Sequence, residues 1–220
     1  MTETPIEARA GWLTGFARGG YRVRGLALAG ILMTVLLAQI VMERVAILTD
    51  GAEVRLATAP VDPRDIFRGD YVILNYRIST LSLENLTDTP EAFTEGGLIY
   101  VSLKEGANGI WEPVAATPAL PGRTAGVVTI RGRITSLSQT GPVTATGEAP
   151  RPLEDAAGIR LRVDYGIDQY FVPEGTGPAL EADRNEGKVS VLVAVAENGN
   201  AAIKGIVLNG GDPVYLEPLF

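Results

Sequence analysis

Two short segments of this chain concentrate the side chains that could do chemistry. The first carries three carboxylates and two arginines within nine residues: Asp62, Arg64, Asp65, Arg68 and Asp70. In the second, residues 165–175, Asp168 and Glu174 flank Tyr170. Carboxylates so placed can serve acid–base or glycosidase-type chemistry, and several together can bind a hard cation such as Ca²⁺. No spacing resembles an EF-hand and acidic loops ordinarily stay solvated, so we expect neither a metal nor a cofactor.

Two missing residue types narrow the chemistry further. The chain of 220 residues contains no cysteine and no histidine. It therefore has no disulfide and no thiol nucleophile, and it lacks histidine, the usual general base near neutral pH. Ser-His-Asp and Cys-His hydrolases are excluded, and a zinc site built by the protein is not expected. Tyrosine and carboxylate side chains remain as the polar groups available for a reaction.

Local structure accounts for much of the first segment. Asp62 is a good N-cap, Pro63 suits the first helical position and Asp65 stands at the capping-box offset. We predict one helical turn that Gly69 closes, followed by a strand over residues 71–79. The buried face of that strand is expected to carry alternate residues, namely Val72, Leu74, Tyr76 and Ile78.

The segment GDYVILNY, residues 69–76, resembles the signature of the GDYXXLXY family of bacterial membrane-anchored proteins. Every named position of the signature is filled, by Gly69, Asp70, Tyr71, Leu74 and Tyr76. The preceding VDPRDIFR (61–68) is similar to that family's lead-in. Residues 165–175, YGIDQYFVPEG, resemble its downstream element, with Asp168 where Glu is more usual. The resemblance implies an anchored envelope domain but no established reaction, so it assigns no catalytic residue.

The same stretch is also similar to the GDY strand of type I signal peptidases, which use a Ser-Lys dyad. Here Val61 stands at the position of the nucleophilic serine and Tyr76 at that of the lysine. Both reacting groups are missing, so we do not expect peptidase activity.

An uncharged stretch, residues 25–42, predicts one transmembrane helix. Its 18 residues would span roughly 27 Å as a helix, close to the hydrocarbon thickness of a bilayer. The net charge is +2 before the stretch and −9 after it. This asymmetry predicts a cytoplasmic N-terminus and a periplasmic C-terminal domain at the bacterial inner membrane. A cleavable signal peptide is the alternative, but Ala57-Thr58-Ala59 lies too far from the span for a signal peptidase to reach.

Four segments follow from this division: a partly disordered basic tail (1–24), the span (25–42), a juxtamembrane linker (43–52) with helix ending near Asp50, and an all-β barrel- or sandwich-like domain (53–220). Residues 159–165 alternate apolar with charged side chains, which predicts a strand. Residues 188–196 place four valines on one face and mostly apolar side chains on the other, which predicts a central strand. Two hairpins are predicted, 98–104 with 110–115 and 189–197 with 201–208. Loops are expected at 81–97, 141–158 and 173–187, the last of which could hold one helical turn at 180–184. Gly132 is expected to mark a bulge or a crossing point in the strand at 128–134.

Two strands carry arginines on their polar faces: Arg131, Arg133, Arg160 and Arg162. If the strands are neighbours, these side chains form a cationic ladder able to hold a phosphate or a carboxylate. We favour the plainer interpretation, in which they pair with Asp164 and other surface acids.

Two functions fit these features. The favoured hypothesis is a non-enzymatic module that binds another membrane or envelope protein. The alternative is a carboxylate-based enzyme or small-ligand binder formed by the two acidic segments. The acidic β-domain argues against nucleic acid or anionic lipid as its main partner.

Overall fold

The computed structural model describes residues 11–60, 71–87, 89–139, 158–171 and 177–216. A single long helix, α1 (Gly11–Asp50), opens the described chain. It contains the predicted span and ends at Asp50, as expected. The helix begins at Gly11, within the basic tail predicted for residues 1–24, and residues 1–10 lie outside the described residues.

The part Val23–Asp50 of α1 is long and apolar enough to cross a membrane, and none of its most apolar 18-residue window is buried. Large apolar side chains such as Leu26, Ile31 and Met42 are exposed all round this stretch. A helix that is apolar on every face and covered by no protein is typical of a membrane span.

The last turns of α1 belong to the same compact unit as the β-strands, Val45–Phe220. Ile47 and Leu48 are buried against Ala194 and Ala202 of two neighbouring strands. The small alanine side chains let the helix approach the sheet closely, and a Cβ on Gly51 would collide with the carbonyl oxygen of Ile47. Residues 45–52, which lie within the predicted linker, therefore pack against the strands of the β-domain.

Beyond α1 the chain is mainly β, as predicted, with one of its sheets curled into a half-barrel. The strands are β1 Ala52–Ala59, β2 Tyr71–Ile73, β3 Asn75–Tyr76, β4 Thr80–Ser82, β5 Leu98–Glu105, β6 Trp111–Thr117, β7 Val127–Gln139, β8 Ile159–Asp164, β9 Gln169–Phe171, β10 Val189–Val195, β11 Ala201–Leu208 and β12 Pro213–Leu216. Short 3₁₀ turns lie at Arg77–Ser79 and Pro90–Ala92, and a second helix, α2, spans Gly177–Asn185.

The described strands form two five-stranded antiparallel sheets and one small one. The larger sheets have the orders β12-β11-β10-β1-β3 and β4-β8-β7-β5-β6, and β2 pairs with β9. One buried cluster joins both large sheets, with Leu56 and Val191 from the first and Ile130 and Leu161 from the second. Apolar burial between two sheets is the main source of stability in such an architecture.

Several predicted elements are confirmed. In β8 alternate residues are buried and exposed without exception. Strand β10 lies between β11 and β1, and both its faces are largely buried. Both hairpins pair as expected, β5 with β6 and β10 with β11. The residues proposed as a cleavage site, Ala57 to Ala59, lie inside β1, where the Thr58 hydroxyl donates to the Val189 carbonyl.

Four predictions about local structure are wrong. The strand expected over 71–79 is interrupted, because the amide of Leu74 donates to the Asp168 carbonyl and a 3₁₀ turn follows Tyr76. Residues 80–82 form strand β4, although a loop is expected from residue 81. The bulge of β7 lies between Ile134 and Ser136. Helix α2 occupies nine residues of the loop expected at 173–187, which is longer than the single turn expected at 180–184.

Gly132, where the bulge was expected, is needed for packing. A Cβ there would collide with Cγ1 of Val163 and lie 2.9 Å from Cδ1 of Tyr165. Only a residue without a side chain lets β7 accept these two groups on its buried face.

Candidate functional site

The fold brings the two segments singled out in the sequence together as neighbouring strands. Strand β2 pairs antiparallel with β9, and Tyr71, Val72 and Ile73 lie opposite Phe171, Tyr170 and Gln169. The Leu74 amide extends this pairing with a 2.7 Å hydrogen bond to the Asp168 carbonyl. The second half of the GDYVILNY signature and the YGIDQYF stretch are therefore one structural unit.

Two tyrosines lock this unit in a reciprocal way. The Tyr76 hydroxyl donates to the carbonyl of Ile167 at 2.6 Å, and the Tyr165 hydroxyl donates to the carbonyl of Ile78 at 2.8 Å. Both rings are buried, Tyr76 at 2% exposure and Tyr165 at 7%. We call the pair, with its two acceptor residues, the tyrosine clasp. Each tyrosine satisfies a main-chain carbonyl on the other segment, so each segment fixes the other.

A tight turn presents the second half of the clasp. Oδ1 of Asp164 accepts a 2.7 Å hydrogen bond from the Gly166 amide, an Asx turn that reverses the chain after β8. Gly166 has a φ of +69°, in the left-handed region that favours glycine. Tyr165, Gly166 and Asp164 are thus needed together for the loop to carry its tyrosine into the core.

Burial perturbs the acid–base properties of both clasp residues. It raises the pKa of Tyr76 well above its ordinary value, and the negative charge of Asp168 adds to the shift. Burial likewise raises the pKa of Tyr165. A phenol with a raised pKa stays protonated at neutral pH, and both hydroxyls already donate to the main chain. The clasp therefore links two segments of the fold.

Arg184, near the end of α2, is a buried polar residue that the sequence reasoning missed. It is only 3% exposed, and its Nη1 donates to the Ile73 carbonyl at 2.6 Å. Its Nε and Nη2 both reach Oδ1 of Asn185. The guanidinium thus ties α2 to β2, immediately beside the signature. The signal in the sequence is the helical spacing of Leu180 and Arg184, which are four residues apart and therefore share one helical face.

The predicted site residues have different outcomes. Leu74, Tyr76 and Tyr170 are buried in the main core, and Asp168 is exposed. Tyr71 lies in β2, opposite Phe171. The others fall outside the described residues: Asp62, Arg64, Asp65, Arg68, Gly69, Asp70 and Glu174. Within the described ranges, no group of three or more acidic residues could hold a metal ion.

A cleft of about 330 Å³ opens beside the clasp. The residues that line it include Tyr76 and Tyr165, and its charged residues are one arginine and two aspartates, Arg162, Asp164 and Asp168. The volume suits a small molecule.

The arginines show neither arrangement, although strands β7 and β8 are neighbours. Within the described residues there is no continuous four-membered ladder, and none of these arginines forms the favoured ion pair with Asp164 or another acidic side chain. Arg133 lies opposite Asp164 and donates to the Gly96 carbonyl, whereas Arg160 and Arg162 lie opposite serines of β7. The bulge after Ile134 separates the two pairs along the sheet.

Comparison with known proteins gives one match. Residues 33–206 match the GDYXXLXY protein family, and this range includes the end of α1, both segments of the clasp and strands β1 to β10. No curated protein and no solved structure matches the chain.

Proposed function

The chain belongs to the GDYXXLXY family, and from that premise we propose that it is a membrane-anchored envelope protein whose β-domain binds a partner protein without catalysing a reaction. The partner is another membrane or envelope protein. The tyrosine clasp is the observation that carries this proposal. The Tyr76 side chain of the signature and the main-chain amide of Leu74 both join the two segments of the fold, which supports a structural part for this half of the signature.

In this proposal α1 crosses the bacterial inner membrane with its N-terminus in the cytoplasm. The support is the exposed apolar helix, together with the four arginines and two glutamates that precede residue 25. A phosphatase fused after Phe220 should be active, because that enzyme folds only in the periplasm. The same fusion placed after Arg24 should be inactive, and the reverse pattern would contradict the orientation.

Partner binding is tested on the full chain in its own membrane. The protein is cross-linked in intact cells, purified in detergent, and the recovered chains are identified by mass spectrometry. The control is Tyr165→Ala, which keeps α1 but strongly destabilises the β-domain, because a buried ring and its main-chain hydrogen bond are lost. We expect a defined partner with the unaltered chain and its loss with the control. Recovery of this chain alone, or of equal partner with both baits, would contradict the proposal.

A second function is favoured by the cleft beside the clasp, which a small polar ligand could fill. In that case the carboxylates of the two acidic segments would bind or convert this ligand. A ligand that raises the melting temperature of the full chain, and no longer does so in Asp168→Asn, would support it. Unchanged behaviour of Asp70→Asn, Asp168→Asn and Glu174→Gln in every such screen would rule it out.

A further inference from the structure

We infer that a strip on the outer face of the second sheet binds an acidic segment of the partner protein. The strip consists of Arg160 and Arg162 on β8, Thr80 and Ser82 on β4, and Ser136 and Ser138 on β7. This inference rests on the proposed partner-binding function and names the surface that performs it. We call this surface the arginine strip.

Strand register places the six residues in two rows. Thr80, Arg162 and Ser136 are directly opposite one another across three strands, and Ser82, Arg160 and Ser138 form the next row. Directly opposed residues of an antiparallel pair share a face, so each guanidinium is flanked by two hydroxyls. All six residues are exposed, whereas the alternating residues Leu81 and Leu161 are buried on the other face.

The two arginines differ from three other cations of the domain. Arg123, Lys188 and Lys204 each form an ion pair with a glutamate. Within the part of the chain that the structure describes, neither Arg160 nor Arg162 has a carboxylate within ion-pair distance. In a domain with an excess of acidic residues, two adjacent unpaired guanidiniums are suited to an external anion.

Spacing favours a polypeptide as the source of that anion. Arg160 and Arg162 are two residues apart on a strand, which separates them by about 6.6–6.8 Å. An extended chain with acidic residues at alternate positions repeats at the same distance, so two successive carboxylates can each bind one guanidinium. Thr80, Ser82 and Ser136 then offer hydroxyl donors to the remaining carboxylate oxygens. Ser138 is already partly engaged, since its hydroxyl donates to the Arg160 carbonyl.

A lipid headgroup fits the same observations less well. Recognition of anionic membranes generally uses clusters of about four to eight basic residues, whereas the strip contains two. The net charge of −9 after the span would also repel an anionic membrane as a whole. The same net charge also repels an acidic segment. Dissolved salt screens this repulsion beyond about 10 Å, however, whereas the contact between the segment and the two arginines is closer than that.

The experiment uses the full chain in a neutral detergent and two labelled peptides of ten residues. One alternates Glu with Thr, and the other has Gln in place of every Glu. Fluorescence anisotropy is expected to show about ten-fold tighter binding of the Glu peptide, given the modest strength of exposed ion pairs. The double variant Arg160→Gln/Arg162→Gln should lose this preference, and either single change should reduce it by about three-fold.

The matched control is Arg131→Gln/Arg133→Gln, which removes the same charge from the neighbouring strand and should keep the preference. No preference in the unaltered chain, or an equal loss in both double variants, would overturn the inference. So would a loss of binding to anionic phospholipid vesicles in Arg160→Gln/Arg162→Gln with peptide preference unchanged, which would assign the strip to lipid.

The two proposals fail in different ways. If cross-linking recovers a partner equally with Arg160→Gln/Arg162→Gln, the arginine strip is wrong and the binding function stands. If no partner is recovered while the peptide preference follows the strip, the function is wrong and the anion-binding surface stands.

Discussion

The tyrosine clasp and the arginine strip lie close together along the chain, at the end of β8 and within it. The polar groups of the clasp are buried, whereas those of the strip are exposed. Tyr165, directly after β8, is buried and bonded to a main-chain carbonyl. Arg160 and Arg162, within β8, are exposed and face hydroxyls. The clasp includes signature residues and the strip includes none. The difference teaches that a family signature can record what holds a fold together, while a binding surface lies a few residues away.

The largest effect is expected from Tyr165→Ala. Removing a buried aromatic ring leaves a cavity and should cost about 3–5 kcal/mol of unfolding free energy. The Ile78 carbonyl also loses its donor. Urea denaturation of the full chain in detergent, followed by tryptophan fluorescence, measures the loss. Tyr100→Ala, a half-buried tyrosine on β5, is the control and should lose clearly less. Equal losses would show that the clasp has no special part in stability.

Gly132→Ala should cause the next largest loss of unfolding free energy. The added methyl group would collide with Val163 and Tyr165, and overpacking of this kind generally costs about 1–3 kcal/mol. Gly122→Ala has open space around its Cβ and no unusual backbone angle, so it should leave the midpoint unchanged. If Gly132→Ala left the denaturation midpoint unchanged, Val163 and Tyr165 would not be held in place beside residue 132.

Tyr76→Phe isolates the hydrogen bond from the ring. The Ile167 carbonyl loses its donor inside the core, and an unsatisfied buried acceptor costs about 1–2 kcal/mol. For a chain of this size that corresponds to a fall in melting temperature of about 2–8 °C. Tyr100→Phe is the matched control, because its ring is only half buried. A fall of the same size in both variants would leave the clasp hydrogen bond without a measurable contribution.

Alkaline pH should weaken the domain through the same two hydroxyls. The folded-state pKa values of Tyr76 and Tyr165 are raised above the unfolded value near 10, so the folded state holds these protons more tightly. Their contribution is complete below about pH 10 and is lost as the pH rises further. Denaturation midpoints measured between pH 8 and 12 should fall less steeply in Tyr76→Phe/Tyr165→Phe. Identical slopes would contradict the burial of the phenols.

The smallest effect on stability is expected in the arginine strip. Arg160→Gln/Arg162→Gln should change the unfolding free energy by less than about 0.5 kcal/mol, since surface substitutions away from special features seldom exceed that value. The melting curve of the full chain measures it. A loss of several degrees would show that the two arginines serve the fold, and the contrast with the clasp would disappear.

Much of the domain was predictable because its signals are local. Alternation along β8, the apolar run of β10 and the hairpin that joins β10 to β11 depend only on residues close in the chain, and the structure confirms them. The apolar span is equally local, and α1 contains it. Turn chemistry and two-residue periodicity are properties that a single sequence displays directly.

What could not be predicted depends on contacts between distant residues. The interruption of the strand after Ile73 follows from the bond between Leu74 and Asp168, which are far apart in the chain. The arginine strip required the register of β8 with β4 and β7, and β4 had been assigned almost wholly to a loop. The clasp likewise depends on which carbonyls meet Tyr76 and Tyr165. A pattern shows which face is buried, but not which strand lies opposite.

One experiment tests the central claim most directly. Tyr76→Phe and Arg160→Gln/Arg162→Gln are compared in the full chain for melting temperature and for recovery of the cross-linked partner. We predict that Tyr76→Phe lowers the melting temperature by about 2–8 °C and leaves recovery unchanged. The arginine variant should leave the melting temperature unchanged and reduce recovery about ten-fold. The opposite pattern, with recovery following Tyr76 and stability following the arginines, would contradict the account.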